Sequence, residues 1–255
     1  MIEFRRFIYL DVHRTGSTHM IHLLRQISDE SEIRLWRHFP ISAGGYLVRP
    51  KNRVIFTTVR NPWSWYVSLW AHGVDGHSAI RRMLVATLPS SDVAALYDAS
   101  KPAESFQRWL AAISNAEFTN KLQGEGYPES GLSSYVGLYT YRFQRVTTRF
   151  PRIFLRSWCI KTPDALIDFH KKRKVYQTVL RTETLTTDMV EFIRMYGERC
   201  GFKPNAEEII QDKSRMKRNA STRPLPHYRD YYDEKSRRMV ESRERFFVDQ
   251  FGYEF

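Results

Sequence analysis

Residues 7–25, FIYLDVHRTGSTHMIHLLR, constrain the fold more than any other stretch of the chain. Phe7, Ile8, Tyr9 and Leu10 form an apolar run with the composition of a buried strand. A polar turn of His13, Arg14, Thr15, Gly16, Ser17 and Thr18 follows, and then Met20, Leu23, Leu24 and Ile27 recur at helical spacing. A strand that passes through a tight turn into a helix is the repeating unit of α/β domains. It also makes an anion site, because the first backbone N–H groups of a helix have no internal partner and the helix dipole favours negative charge there. Ser17 and Thr18 add hydroxyl donors and Arg14 adds a cation. The bland alternative is an ordinary connection in which Ser or Thr caps the helix.

The pattern recurs at residues 54–70, VIFTTVRNPWSWYVSLW. Val54, Ile55 and Phe56 read as the strand and Arg60 and Asn61 as the turn, while Pro62 suits the first helical position. Ser68 lies six residues into that helix, a rise of roughly 9 Å. An arginine at the strand end can meet that hydroxyl over one anionic group; a surface ion pair and a helix-face hydroxyl are the plainer readings. Trp63, Trp65, Tyr66, Val67, Leu69 and Trp70 make the helix apolar nearly all round, which predicts a buried helix.

HRTGST followed by RNPWSWYVS resembles the two donor-binding motifs of sulfotransferases that use 3′-phosphoadenosine 5′-phosphosulfate (PAPS), closest to the carbohydrate-type and bacterial branches. The resemblance implies that Arg14, Thr15, Gly16, Ser17 and Thr18 bind the 5′-phosphosulfate, and that Arg60 and Ser68 bind the 3′-phosphate. His13 stands where the family usually has Pro, and Trp65 where many members have a basic residue. The likeness also touches Arg181-Thr182-Glu183-Thr184-Leu185, similar to an R-x-E-x-L segment after a core strand, and the closing FGYEF. Residues 213–229 carry six basic residues and no acid. Family members often have a basic N-x-S loop there, which Arg218, Asn219 and Ser221 match loosely, so the resemblance implies closure of this loop over the nucleotide.

The reaction implied is transfer of a sulfuryl group to a hydroxyl, which must lose its proton as it attacks. A neutral imidazole titrates near ~6.5 and can take that proton at neutral pH. Residues 33–36 read as a short strand, and Pro40 argues against helix just before it, so His38 sits on a loop at a strand end. Ligands of parallel α/β sheets bind outside those ends. In family members resembling heparan sulfate 2-O-sulfotransferase, a His in this interval is the proposed base, which implies that role for His38. An ordinary loop histidine remains open for His38, and His13 is the second candidate for the base.

The remaining chain reads as one domain over residues 1–255, long enough for a full core. Residues 77–150 are expected to be mostly helical and to hold the acceptor region, with residues 124–128 as a candidate lid loop. Helices are expected at 79–88, 105–113, 134–150, 187–200 and 233–251, with Gly201 closing the fourth, and a strand at 175–180. A net charge of +12 points to an anionic partner. The run Lys171, Lys172, Arg173 and Lys174 is either a solvated face or a contact for anionic surfaces. No nucleic-acid motif accompanies it, so nucleic acid is not expected. Cys159 and Cys200 make neither a disulfide framework nor a metal pattern, and no metal is expected. No apolar run approaches a membrane span and no signal-like stretch opens the chain, so a cytoplasmic location is expected.

The expected fold is therefore α/β: a three-layer sandwich with a central, mainly parallel sheet of about five strands, as in P-loop nucleotide kinases. The expected function is PAPS-dependent sulfuryl transfer to a saccharide, glycolipid or small natural product, releasing 3′,5′-bisphosphoadenosine. A kinase-like phosphotransferase using ATP and a non-catalytic polyanion binder are the alternatives. The absence of the Walker A sequence GxxxxGK[ST] counts against ATP.

Overall fold

The structure is a computed structural model, described here for residues 1–44, 52–115, 126–149, 160–213 and 222–255. Two compact units emerge: Met1–Arg60 with Arg142–Pro151 and His170–Ala220, and Asn61–Tyr141 with Arg152–Phe169 and Ser221–Phe255.

Among the described residues, the first unit holds a five-stranded sheet of β1 (Ile2–Glu3), β2 (Phe7–Leu10), β3 (Arg34–Leu35), β4 (Val54–Val59) and β5 (Thr178–Arg181), in the order β3-β1-β2-β4-β5. β2 pairs parallel with β4, and β4 with β5; β1 pairs antiparallel with both β2 and β3. The sheet is thus mixed, with its parallel part built from the longer strands. Every residue of β2 and β4 is buried, as continuous apolar runs predict for strands covered on both faces.

Helix α1 (Ser17–Ile27) buries Met20, Ile21, Leu23, Leu24 and Ile27, the periodic stripe expected of it. Phe56 of β4 meets Phe192 with ring centroids 4.4 Å apart, and Phe4 stacks on Phe7 at 4.3 Å. These belong to one core with Leu180, Met189 and Cys200. Burial pushes the Cys200 thiol up to about 12, which makes it an inert core residue; Cys159 lies outside the described residues.

The second unit is helical among its described residues. Helix α2 (Pro62–Val74) has Pro62 in its first position, and Asn61 caps it by accepting from Ser64 N–H at 3.1 Å. Residues 61–71 are all buried, in line with the all-round apolar sequence. α3 (Ala79–Thr87), α4 (Ser90–Leu96) and α5 (Pro102–Ser114) follow. Further along come α6 (Leu138–Thr147), α7 (Pro163–Arg173), α8 (Leu185–Cys200), α9 (Ala206–Lys213), α10 (Glu234–Arg243) and α11 (Arg245–Phe251). Of these, α8 and α9 belong to the first unit, and the boundary between the units falls within α6 and α7. Lys171 and Lys172, at the end of α7, are exposed, where cations complement the helix dipole.

Two helix expectations change, for one physical reason. The helix expected over 134–150 begins only at Leu138, and the helix expected over 233–251 breaks at Glu244. The Glu244 carboxylate is fully buried and accepts from Tyr139 N–H (3.2 Å), Thr140 N–H (2.9 Å), the Thr140 hydroxyl (2.6 Å) and the Tyr66 hydroxyl (2.5 Å). It caps the start of α6 from a distant part of the chain, so α6 starts where its orphan N–H groups find an acceptor. Gly137 stands at that cap, and a Cβ there would lie 1.9 Å from Glu244 Oε1. The helix over 187–200 is found as α8, and Gly201 ends it in the left-handed region at φ +68°.

Candidate functional site

Because β1 alone runs opposite to its neighbours, β2, β3, β4 and β5 share one direction. Their carboxyl ends therefore deliver Asp11, Arg37 with His38, Arg60 and Thr182 to one edge of the first unit. That edge is where α/β sheets hold ligands.

The turn after β2 is braced from beneath. The Thr15 hydroxyl donates to Val12 O at 2.9 Å and lies 2.7 Å from Thr58 Oγ1, which lies 2.7 Å from Tyr9 Oη. With the Thr15 proton directed to Val12, Thr58 donates to Thr15 and Tyr9 to Thr58. Burial pushes the Tyr9 phenol up, so it keeps its proton. Thr182 adds a strut, its hydroxyl donating to Val59 O (2.8 Å) and reaching Thr15 O (3.3 Å). The turn itself is left-handed at Arg14 (φ +60°) and at Gly16 (φ +76°). A residue other than glycine at positive φ is uncommon, and such strain collects at ligand-holding sites.

Gly16 occupies the cap position of α1 with no side-chain cap, so Ser17 is the first helical residue rather than a capping one. The first intrahelical bond runs from Met20 N–H to Gly16 O at 3.0 Å. The N–H groups of Ser17, Thr18 and His19 stand ahead of it in the first turn, the arrangement that favours an anion.

Two arginines close on this turn. Arg60 Nη1 donates to Arg14 O at 3.2 Å. Arg37 Nη2 reaches Ser17 Oγ at 3.2 Å and Thr18 Oγ1 at 3.4 Å, while its Nε donates to Asp11 Oδ2 at 2.7 Å. Asp11 is fully buried, and its Oδ1 also accepts from the Met1 α-amino group at 2.6 Å and from His38 N–H at 2.8 Å.

His38 is itself left-handed at φ +59° and stacks on His13 with ring centroids 3.6 Å apart. Burial lowers the pKa of His38 below the ordinary value, opposed by the Asp11 carboxylate. Burial lowers His13 well below it, reinforced by Arg142, His38, Arg145 and Arg37. Both rings are therefore neutral at neutral pH, and a neutral imidazole is the form that accepts a proton. His170, by contrast, is held inside the unit between Gln144 (2.9 Å) and Tyr176 (2.8 Å), and burial takes its pKa down to about 3.

Arg14, Thr15, Gly16, Ser17, Thr18, Arg60, His13 and His38 thus all lie in the first unit around one turn. The Thr15 hydroxyl is directed inward to Val12 O. Ser68 lies in the second unit on α2 and is buried at 2% exposure. Arg218, Asn219 and Ser221 lie outside the described residues, as do residues 124 and 125 of the candidate lid loop. Sequence reasoning missed Asp11, Arg37, Thr58 and Thr182. Asp11 and Arg37 carried a signal, since Asp11 is a charged residue directly after the first strand read and Arg37 adjoins His38. Thr58 carried none, because threonine is ordinary in strands, and Thr182 stood only at an unspecified position of the R-x-E-x-L likeness.

Among the described residues no helix is long and apolar enough to cross a membrane. No family model, no curated protein and no solved structure matches the chain.

Proposed function

We propose that this chain is a PAPS-dependent O-sulfotransferase with a P-loop-kinase-like nucleotide fold. One observation carries the reading: the HRTGST turn opens an α-helix at the carboxyl edge of a largely parallel sheet, with the Arg60 guanidinium bonded to that turn. The left-handed Gly16, the N–H groups of the first turn of α1, and Arg14, Arg37 and Arg60 suit a donor rich in negative charge. PAPS would supply an electrophilic sulfur carried on a bisphosphate leaving group. The chain's own residues position the reactants and balance charge. Main-chain N–H groups of Thr15 to Thr18, with the Ser17 and Thr18 hydroxyls, hold the 5′ end. Arg14 offsets charge growing on the departing oxygen, and His38 takes the proton of the acceptor hydroxyl. Arg60 reads the 3′-phosphate, the group that separates this donor from ATP; Ser68 enters through motif spacing alone. Acceptors would be hydroxyls of saccharides, glycolipids or small natural products.

The test pairs a thermal-shift comparison with a transfer assay. Stabilisation by 3′,5′-bisphosphoadenosine and not by ATP, with labelled sulfate passing from PAPS to a hydroxyl acceptor, is the expected outcome. Preference for ATP would replace the reading with phosphoryl transfer. The net charge of +12 favours one other reading, a binder of polyanions, which predicts binding that survives Arg60→Ala and weakens smoothly with salt.

A further inference from the structure

His38 and His13 stack face to face, and sequence alone does not choose between them or between the two nitrogens of either ring. The surroundings of His38 settle which nitrogen of that ring carries the hydrogen. Its Nδ1 lies 3.0 Å from the backbone oxygen of Asp11 and 3.4 Å from Asp11 Oδ2. Both neighbours are acceptors only; a carbonyl and a carboxylate cannot donate. Nδ1 must therefore carry the hydrogen, which leaves the lone pair of the neutral ring on Nε2. The backbone is fixed as well, because His38 N–H donates to Asp11 Oδ1 at 2.8 Å and this holds the residue at its left-handed φ.

The same carboxylate has a second hold. Asp11 Oδ2 accepts from Arg37 Nε at 2.7 Å, and the far end of that guanidinium reaches the hydroxyls of Ser17 and Thr18. One buried carboxylate thus grips the imidazole on one side and, through Arg37, the first turn of α1 on the other.

We propose that Asp11 is the positioning residue of the site: it fixes His38 as the Nδ1–H tautomer with Nε2 as the proton-accepting atom, and it sets Arg37 as a further cation of the anion turn. This rests on reading His38 as the general base. In the transfer, the proton of the acceptor hydroxyl passes to Nε2 as the oxygen bonds to sulfur. The sulfur–oxygen bond to the 5′-phosphate breaks, and its electron pair leaves with the bisphosphate. The imidazolium formed is stabilised through Nδ1–H by Asp11, in the manner of ring nitrogens oriented by a carboxylate or carbonyl. Among the described residues, the charged and titratable groups facing His38 are Asp11, Arg37, His13 and the Met1 α-amino group; Arg142 and Arg145 act on His13.

The decisive experiment is long-range 1H–15N NMR of the imidazoles in the full chain, followed across pH, with His38→Gln identifying the His38 signals. The expected result is a proton on Nδ1 and a bare Nε2 for His38. A proton on Nε2 would overturn the assignment. Asp11→Asn should move the His38 titration, and with it the acid limb of the rate profile, to lower pH, because a negative neighbour is lost. An unmoved titration in a folded variant would remove Asp11 from the role. Should Asp11→Asn not fold, Arg37→Met gives the complementary result. Loss of that cation should raise the His38 pKa while the tautomer stays, and a changed tautomer would count against Asp11. The NMR readout needs neither donor nor acceptor. An Nδ1–H ring in a protein without sulfuryl transfer would sink the proposed function and leave the tautomer standing, and the reverse combination would do the opposite.

Discussion

Gly16→Ala is the most direct probe of the anion turn. Gly16 sits at φ +76°, and among the described residues a Cβ built there would meet only Thr182 Cγ2, at 3.8 Å. That distance is an ordinary contact, so the substitution brings backbone strain and no collision. Holding an L-residue in the left-handed region costs about 1–2 kcal/mol. For a chain of this size that corresponds to a fall in melting temperature of about 2–4 °C per kcal/mol. The alternative for the variant is to release φ to a negative value. The peptide joining Gly16 to Ser17 would then rotate and redirect the N–H groups at the start of α1. Either way, anion binding at the turn should weaken together with stability. Gly16→Asn is the control, since asparagine enters the left-handed region several-fold more readily than other side chains. Urea unfolding of wild type, Gly16→Ala and Gly16→Asn, each with and without 3′,5′-bisphosphoadenosine, measures both effects. The expected order is wild type, then Asn, then Ala, in stability and in stabilisation by the nucleotide. If Ala matched wild type in both, the left-handed turn would not be what shapes this site.

Arg14→Ala should lose turnover far more than donor affinity, and Arg60→Ala should show the opposite emphasis; retained turnover of Arg14→Ala at saturating PAPS would discard the mechanism. His38→Gln should lower kcat by about 10²–10⁴. The wild-type rate should rise with pH through a pKa below the ordinary histidine value, because burial lowers it; a midpoint above that value would contradict the burial of the ring. Glu244→Gln sets an amide donor against groups that all donate, at a cost of about 1–3 kcal/mol at neutral pH. Burial raises the Glu244 pKa from 4.5 to about 6, so the native state binds the proton more tightly than the unfolded chain. This contribution is complete below 4.5 and lost as pH rises through about 6, so the deficit of the variant should widen on acidification across that window. His13, His38 and His170 act in the other direction: all have lowered pKa values, so their stabilising share is full above 6.5 and is lost as pH falls toward about 3 for His170. Replacing His170 with Gln should flatten the acid side of the stability profile, and an unchanged slope would remove it from the account.

Much of the local structure was legible in the chain. The runs at 7–10 and 54–56 announced strands because residues buried on both faces of a sheet must be apolar without a break. Met20, Leu23, Leu24 and Ile27 announced a helix, and Pro62 and Gly201 marked helix ends, because those residues alone suit the backbone there. The turn between β2 and α1 could be singled out for the same reason, as could Arg60 and His38 at strand ends.

What local sequence could not decide was pairing at a distance. No strand was read at residues 2–3, and only the assembled sheet reveals that β1 inserts antiparallel between β2 and β3, and that this leaves four strand ends at one edge. Whether Asp11 is an ordinary loop carboxylate or the partner of both Arg37 and His38 depends on contacts more than twenty positions apart. The cap that Glu244 gives α6 crosses more than a hundred. Local preference acts through neighbours along the chain, whereas a buried charge takes its partners from whatever packing brings within hydrogen-bond reach. The elements therefore belong to the sequence, and the electrostatics of the site belong to the tertiary fold.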